Sequence, residues 1–417
     1  EKVSTSLISS SSSAPVVIAQ YLALAKKRKL SLATLRGTIQ NDPFHHYYSG
    51  YHDKFFPIDV MVENSVDIIE FCTKYVPKWY TININMYDLR EQGMTAAQEI
   101  ACGFSIGIDI IKKCLERGVG VDSFLPRIAF YSSAHIDILE EVAKYRAARR
   151  MWARITKEKF GAENPNSQKF TFGVQTAGCS LVPQQPLNNA IRIAYEALAA
   201  VLGGVQSVSC CSYLEPISLP TEEAHRLALR TQQILAYETG VGNVADPLGG
   251  SYYVENLTNK LEEEAYHTMN EIEDMGGMTE AVKSGWYVRE IERAALKYQR
   301  EVENKERLVV GANAITIPIE EDDEGKVHVT PRQSTKEQVE RVRTLKKRRD
   351  NEITKRHLEN LYNTAKKHTN ARREENLLPY IIEATEAYAT LGEILGTIRM
   401  AYDLSYDPFN MIQHPFF

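Results

Sequence analysis

Two adjacent thiols, Cys210 and Cys211, follow a short Ser-Val-Ser run, and Glu215 lies just beyond them. Upstream, Gln175 opens the run Thr176-Ala177-Gly178-Cys179-Ser180. With Gln40, Tyr87, Asp88, Glu91, Arg127 and Ser209, these are the residues whose types could do chemistry. Amides and a phenol donate hydrogen bonds without carrying charge, carboxylates accept them, and a guanidinium holds anionic or carbonyl oxygens. Each falls at or near the end of a segment that reads as a strand. Each could equally be a satisfied polar group capping a helix or loop. No hydrolase nucleophile motif occurs, and no phosphate-binding glycine loop follows a strand; Gly203-Gly204 and Gly249-Gly250 read as turn glycines. His45, His46 and His52 share one loop but lack a carboxylate or cysteine frame, so no metal site is expected. The six cysteines (Cys72, Cys102, Cys114, Cys179, Cys210, Cys211) show no CxxC spacing and read as reduced thiols. Cys210 and Cys211 read as small buried apolar residues rather than a redox pair.

The elements that must position these groups follow from periodicity. Lys169–Gln175 alternates apolar and polar residues, as a half-buried strand does. A Gly, Ser and Pro-rich loop follows, then an amphipathic helix closed by Gly203-Gly204, then a second strand. That is the crossover a parallel sheet needs. Further strands are expected at Val3–Ser10, Leu35–Gln40, Trp79–Tyr87 and Arg127–Tyr131. Helices are expected from about Ala14 to Lys27, Val62 to Val76, Thr95 to Glu116, Ile136 to Phe160, Thr221 to Thr239, Asn256 to Met275 and Thr279 to Glu303. The aromatic-rich stretch from Asn41 to Pro57 reads as a loop. About six strands alternate with helices, which implies a parallel sheet covered by helices. A closed (β/α)8 TIM barrel needs two more strands. Glu1 is not an initiator Met and Val3–Ser10 already reads as core, so N-terminal strands missing from this chain are expected to supply them.

The barrel is expected over residues 1–308, an acidic linker with Glu320–Glu324 over 309–333, and a C-terminal helical extension with an aromatic tail over 334–417. The extension should carry a charged helix from Ser334 to about His368 and a last helix from about Pro379 to Ala401. The tail would dock on a partner or on the chain itself. The Lys346-Lys347-Arg348-Arg349 run is interleaved with acids along its helix and reads as a solvated face. With 417 residues, 43% of them hydrophobic, the chain can bury a large core. A net charge of -5 gives no basic field for nucleic acid, and the apolar runs are shorter than a membrane span. A cytoplasmic protein without membrane or nucleic-acid partners is expected.

Several stretches together carry a resemblance: GTIQND at 37–42, Tyr87 with Glu91 and Gly93, DSFLPRIAF at 122–130, EVAKYRAARRMWA at 141–153, QTAGCSL at 175–181, Gln206-Ser207, LPTEEA at 219–224, DPLGGSYYVE at 246–255, and the C-terminal NLLPYIIEATEAYATLGEI. They resemble the large subunit of adenosylcobalamin-dependent acyl-CoA mutases, the methylmalonyl-CoA mutase family, and are most similar to its two-subunit members. The resemblance implies a (β/α)8 barrel enclosing an acyl-CoA, with cobalamin over its C-terminal mouth. Cobalt–carbon homolysis there yields a radical that abstracts a substrate hydrogen before the carbon skeleton rearranges. The cofactor carries the hard chemistry, and the protein positions it and excludes water.

By the same resemblance, Thr38, Gln40, Tyr87, Asp88, Arg127 and Ala129 fall on the acyl-CoA. Gln40, Tyr87 and Asp88 lie nearest the reaction, and Gln40 reaches the thioester carbonyl. Glu91, Gln175, Cys179, Cys211, Glu215 and Pro216 fall on the cofactor, with Glu215 on the adenosyl ribose. Departures accompany these matches. Asp88 stands where the family usually has a histidine on the thioester carbonyl; an ionised Asp only accepts and would repel that oxygen unless the substrate brings a donor. The arginine that pairs with a substrate carboxylate is missing near Ser49-Gly50, which argues against a methylmalonyl substrate. Gly173 replaces a histidine, and Ser209, Cys210 and Cys211 replace His-Thr-Asn. None of the ten histidines has an Asp two residues before it, so the lower cobalt ligand must come from a separate small cobalamin-binding subunit. A hetero-oligomer is implied, with a G-protein chaperone among its partners. The other reading is a non-catalytic structural or regulatory barrel subunit.

Overall fold

A computed structural model describes residues 3–48, 56–317, 333–367 and 375–416. His52, the Ser49-Gly50 pair and the acidic run 320–324 lie outside the described residues. The chain forms two compact units, one of residues 1–84, 110–128 and 330–417, the other of 85–109 and 129–329.

The first unit is built on three short parallel strands, Thr5–Leu7, Gly37–Ile39 and Trp79–Tyr80, with Gly37 opposite both Thr5 and Trp79. A Cβ at Gly37 would lie 2.3 Å from the Trp79 ring and 2.4 Å from the Thr5 carbonyl oxygen, so only glycine lets the strands close here. The crossovers are the helices Ala14–Lys27 and Ile58–Tyr75. Proline near the start and Lys26-Lys27 in the last turn suit the first of these. Arg117 reaches Asp67, Glu63 and Glu70 of the second.

The C-terminal helices belong to this unit. Leu378–Glu386 packs on Ala14–Lys27, and Leu391–Ala401 packs on Asn351–Lys366. Thr390 and Glu393 form a reciprocal cap, and Glu393 also accepts from buried Arg349 at 2.6 and 2.8 Å. The aromatic tail folds back on the chain's own last helix. Tyr406 lies flush on Gly396, and His414 bonds Thr397 at 3.0 Å.

In the second unit Ile128–Ala134, Phe172–Thr176 and Ser207–Ser209 run parallel, with Ser133 opposite Gln175 and Gln175 opposite Ser209. The crossovers are Ile138–Arg154, capped by the Asp137 carboxylate, and Asn188–Leu202, which ends at Gly203. Gly204 takes φ +74, the left-handed geometry that a glycine accepts at no steric cost. Phe104, Phe130, Trp152, Phe170 and Phe172 interlock edge-on and stacked as the aromatic core. Beside it lies a fully buried charge cluster. Lys144 bonds Glu99 at 2.7 Å, Glu141 at 2.5 Å and the Ser133 carbonyl at 2.7 Å. Parallel strands joined by crossover helices make this a mixed α/β fold consistent with a (β/α)8 barrel.

Six expectations change. His45–Tyr48 forms a short helix inside the stretch expected as a loop, and the Arg349 side chain, expected on a solvated face, is buried against Glu393. The strand expected over Trp79–Tyr87 breaks into Trp79–Tyr80 and Ile82–Asn85, and Tyr87 opens a short helix, Tyr87–Glu91. The helix expected from Thr279 to Glu303 divides at Gly285, whose φ of +73 ends one run and starts the next. The charged C-terminal helix stops at Arg348 and restarts after the cap residue Asp350, whose side chain takes the free N–H groups of Glu352 and Ile353. The last helix is two, divided at Tyr388 with φ +61.

Candidate functional site

The second unit gathers most of the cofactor-side candidates around one loop. Strand Phe172–Thr176 delivers Gln175 at its carboxyl end and releases the chain into Ala177-Gly178-Cys179. The short helix Tyr87–Glu91 faces this loop. The Gly178 and Cys179 N–H groups donate to the two oxygens of Glu91 at 3.0 and 2.9 Å. Gly178 also donates to the Tyr87 hydroxyl at 3.3 Å. A Cβ at Gly178 would lie 2.8 Å from a Glu91 oxygen, 3.4 Å from the Tyr87 hydroxyl and 3.5 Å from the Glu215 side chain. The bare backbone there lets three side chains from two separate segments converge. Burial pushes the Glu91 carboxyl up to about 7, although its hydrogen bonds pull the other way.

Cys211 sits beside Gln175. Its backbone N–H donates to the Thr176 hydroxyl at 2.8 Å, and its thiol meets the Thr176 carbonyl at 3.1 Å and the Gln175 amide at 3.3 Å. Tyr87 lies 3.9 Å from the sulfur. Burial raises this thiol to about 12, so it is a neutral thiol at physiological pH. Cys179 is half-buried with its sulfur 3.7 Å from the Arg90 carbonyl, while Glu215 and Pro216 are exposed. Asp88 is half-buried and accepts from the Asn85 amide at 3.0 Å. Ala129 is half-buried on strand Ile128–Ala134.

The first unit holds the remaining candidates. Thr38 has a buried hydroxyl with no hydrogen bond to the described residues. Gln40 is half-buried just after the strand, its backbone fixed by bonds to Leu7 and Ser9. Its side-chain amide makes no hydrogen bond to the described residues. Arg127 donates to the Pro77 carbonyl at 3.2 Å and lies 5.2 Å over the Tyr80 ring.

Sequence reading passed over Tyr131, Gly178 and Arg90. The Tyr131 hydroxyl lies 2.6 Å from the Gln175 side-chain oxygen, and its ring packs 5.8 Å from that of Tyr87. The alternation of Arg127–Tyr131 placed Tyr131 on a face but gave no sign of its reach. Arg90 anchors the short helix through the Met94 carbonyl at 2.7 Å and Glu140 at 2.5 Å.

Parallel strands, crossover helices and polar groups gathered past the strand ends are the build of an α/β barrel-type enzyme. The chain belongs to the methylmalonyl-CoA mutase family, whose model matches residues 1–404. It is 36% identical over 401 residues to the 2-hydroxyisobutanoyl-CoA mutase large subunit of Aquincola tertiaricarbonis, covering 96% of this chain and 70% of that one. It is 36% identical over 408 residues to the methylmalonyl-CoA mutase of Rhizobium meliloti (96% of this chain, 55% of that one). The mitochondrial human methylmalonyl-CoA mutase is 34% identical over 403 residues, 96% of this chain and 52% of that protein. The chain thus spans little more than half the length of the methylmalonyl-CoA mutases it matches. Its relatives are CoA mutases, and these are isomerases.

Proposed function

We propose that this chain is the substrate-binding subunit of an adenosylcobalamin-dependent mutase that rearranges the carbon skeleton of an acyl-CoA other than methylmalonyl-CoA, together with a separate cobalamin-binding chain. The observation that carries the reading is the Gly178 loop. It gathers Glu91, Tyr87 and Glu215 around the bare Gly178 backbone, with the Gln175–Cys211 pair at the strand ends next to it. The donor set suits the group: the Gln175 amide and the Tyr87 phenol match a periphery of amides and hydroxyls. Glu91, Gln175, Cys179, Cys211, Glu215 and Pro216 would hold the cofactor, which supplies radical chemistry when bound. A G-protein chaperone belongs to the same reading.

The chain's own residues bind and orient. Gln40 offers an uncommitted amide that would donate to a thioester carbonyl without giving up a proton. The orphaned Thr38 hydroxyl would gain a partner from the same substrate. Arg127 and Ala129 would line the CoA side, and Tyr87 the acyl pocket. A carboxylate offers acceptors and no donor, so Asp88 favours an acyl group carrying a donor, such as a hydroxyl. The test is reconstitution with adenosylcobalamin and a cobalamin-binding chain against a panel of acyl-CoAs. Turnover of a hydroxylated acyl-CoA with an organic-radical signal is expected; silence across the panel refutes the reading.

Two observations favour a non-catalytic barrel subunit. Asp88 is already paired with Asn85, and Gly173 offers no side chain to a ligand. Micromolar cobalamin binding by the complex would exclude that reading.

A further inference from the structure

Gln175 is held at both ends of its amide. The Cys211 thiol donates to the Thr176 carbonyl at 3.1 Å, so its sulfur can only accept from Gln175. The amide must therefore turn Nε2 toward that sulfur, 3.3 Å away. At the other end the Tyr131 hydroxyl donates to Oε1 at 2.6 Å. Every donor and acceptor runs one way: Tyr131 to Gln175, Gln175 to Cys211, Cys211 to Thr176. Tyr87 and Glu215 also face the thiol, but neither competes for the amide.

Strand register explains the reach. Tyr131 lies opposite Gly173, and Gln175 is two residues further along the same face. A Cβ at Gly173 would stand 3.7 Å from the Tyr131 ring and 2.7 Å from the Ser207 hydroxyl. With glycine there, the ring crosses its neighbour and the hydroxyl arrives at the diagonal position, within the span of an aromatic side chain.

We propose that Tyr131 is a positioning residue that locks the Gln175 amide with its oxygen engaged, so that Gln175 meets a ligand only as a hydrogen-bond donor and selects an acceptor there, such as an amide or thioester carbonyl oxygen. Only the nature of the ligand rests on the function proposed above; the relay belongs to this chain alone. A ligand group that offers a donor at this point finds no partner and leaves an N–H pair facing an N–H.

The relay is tested first without cofactor. The full chain is labelled with 15N at glutamine, and the Gln175 side-chain signals are identified by their loss in Gln175→Met. Tyr131→Phe keeps the ring and removes only the hydroxyl. It should speed hydrogen exchange of the Gln175 Nε2 protons about tenfold, the effect of losing one well-formed hydrogen bond, with the thermal midpoint nearly unchanged. Unaltered exchange in Tyr131→Phe overturns the proposal. The second readout is the affinity for hydroxocobalamin in the chain combined with a cobalamin-binding chain. Tyr131→Phe and Gln175→Met should each weaken binding about fivefold to tenfold, and the double variant no further, because both break one relay. Fully additive losses overturn the proposal. Fast exchange in Tyr131→Phe without cobalamin binding by any variant upholds the relay and removes the cofactor reading.

Discussion

Glu91 offers a measurement in which the sign of the effect is fixed by the structure. Its carboxyl is buried against the Gly178 loop and pushed up to about 7 from an ordinary 4.5. Between those two pH values the folded chain keeps a proton that the unfolded chain has released. Stability contributed by this group is therefore fully present below pH 4.5 and is lost as pH rises through 7. The gap is about two and a half pH units, and each unit corresponds to about 1.36 kcal/mol, so the swing is on the order of 3 kcal/mol. Glu91→Gln cannot titrate and removes it. The assay is urea unfolding of both proteins at steps from pH 5 to pH 8, read as the difference between their unfolding free energies. All other titrating groups are common to both proteins and cancel. The wild type should lose about 2 to 3 kcal/mol relative to Glu91→Gln across that range. Parallel curves, or a wild type that gains with pH, would refute the placement of a desolvated carboxyl beneath the loop.

Three further outcomes follow from contacts described above. Gly178→Ala puts a methyl group where Glu91 and Tyr87 meet; because both are mobile side-chain ends, stability should fall by no more than about 1 kcal/mol while acyl-CoA turnover is lost, and equal loss of both would contradict it. Lys144→Met strands two buried carboxylates, Glu99 and Glu141, and should cost about 3 to 5 kcal/mol in denaturant unfolding. Asp88→Ala should change turnover far more than cobalamin affinity, since the proposed role of Asp88 lies with the acyl group; equal effects on both would move it to the cofactor side.

Periodicity made the crossover units readable. Lys169–Gln175 alternates, the following helix carries an apolar face, and Gly203-Gly204 ends it, so three independent signals agree. The start of the helix at Tyr87 was hidden because WYTININMY keeps its alternation past the point where the strand stops. Alternation records which face a side chain occupies, not whether the backbone still pairs. The break at Tyr388 was hidden for a related reason: a tyrosine carries φ +61 there without the glycine that usually marks such a turn. At the site, Gln175, Cys211, Glu91 and Tyr87 could be nominated one by one from their types and from resemblance. The meeting of Glu91 and Tyr87 at Gly178, and the pairing of Gln175 with Cys211, needed the loop geometry. Tyr131 escaped because its importance depends on a residue that has no side chain, Gly173, on the neighbouring strand.

The C-terminal tail bears on how this protein is handled. The family match stops at residue 404, yet the Tyr406 ring covers Gly396 and His414 bonds the Thr397 hydroxyl of the last helix. A boundary drawn from similarity and a boundary drawn from packing therefore fall at different places. An expression clone trimmed to the matched segment would strip the cover from the final helix, whose inner face is otherwise buried. Poor yield from such a clone would reflect the cut, not an unstable barrel.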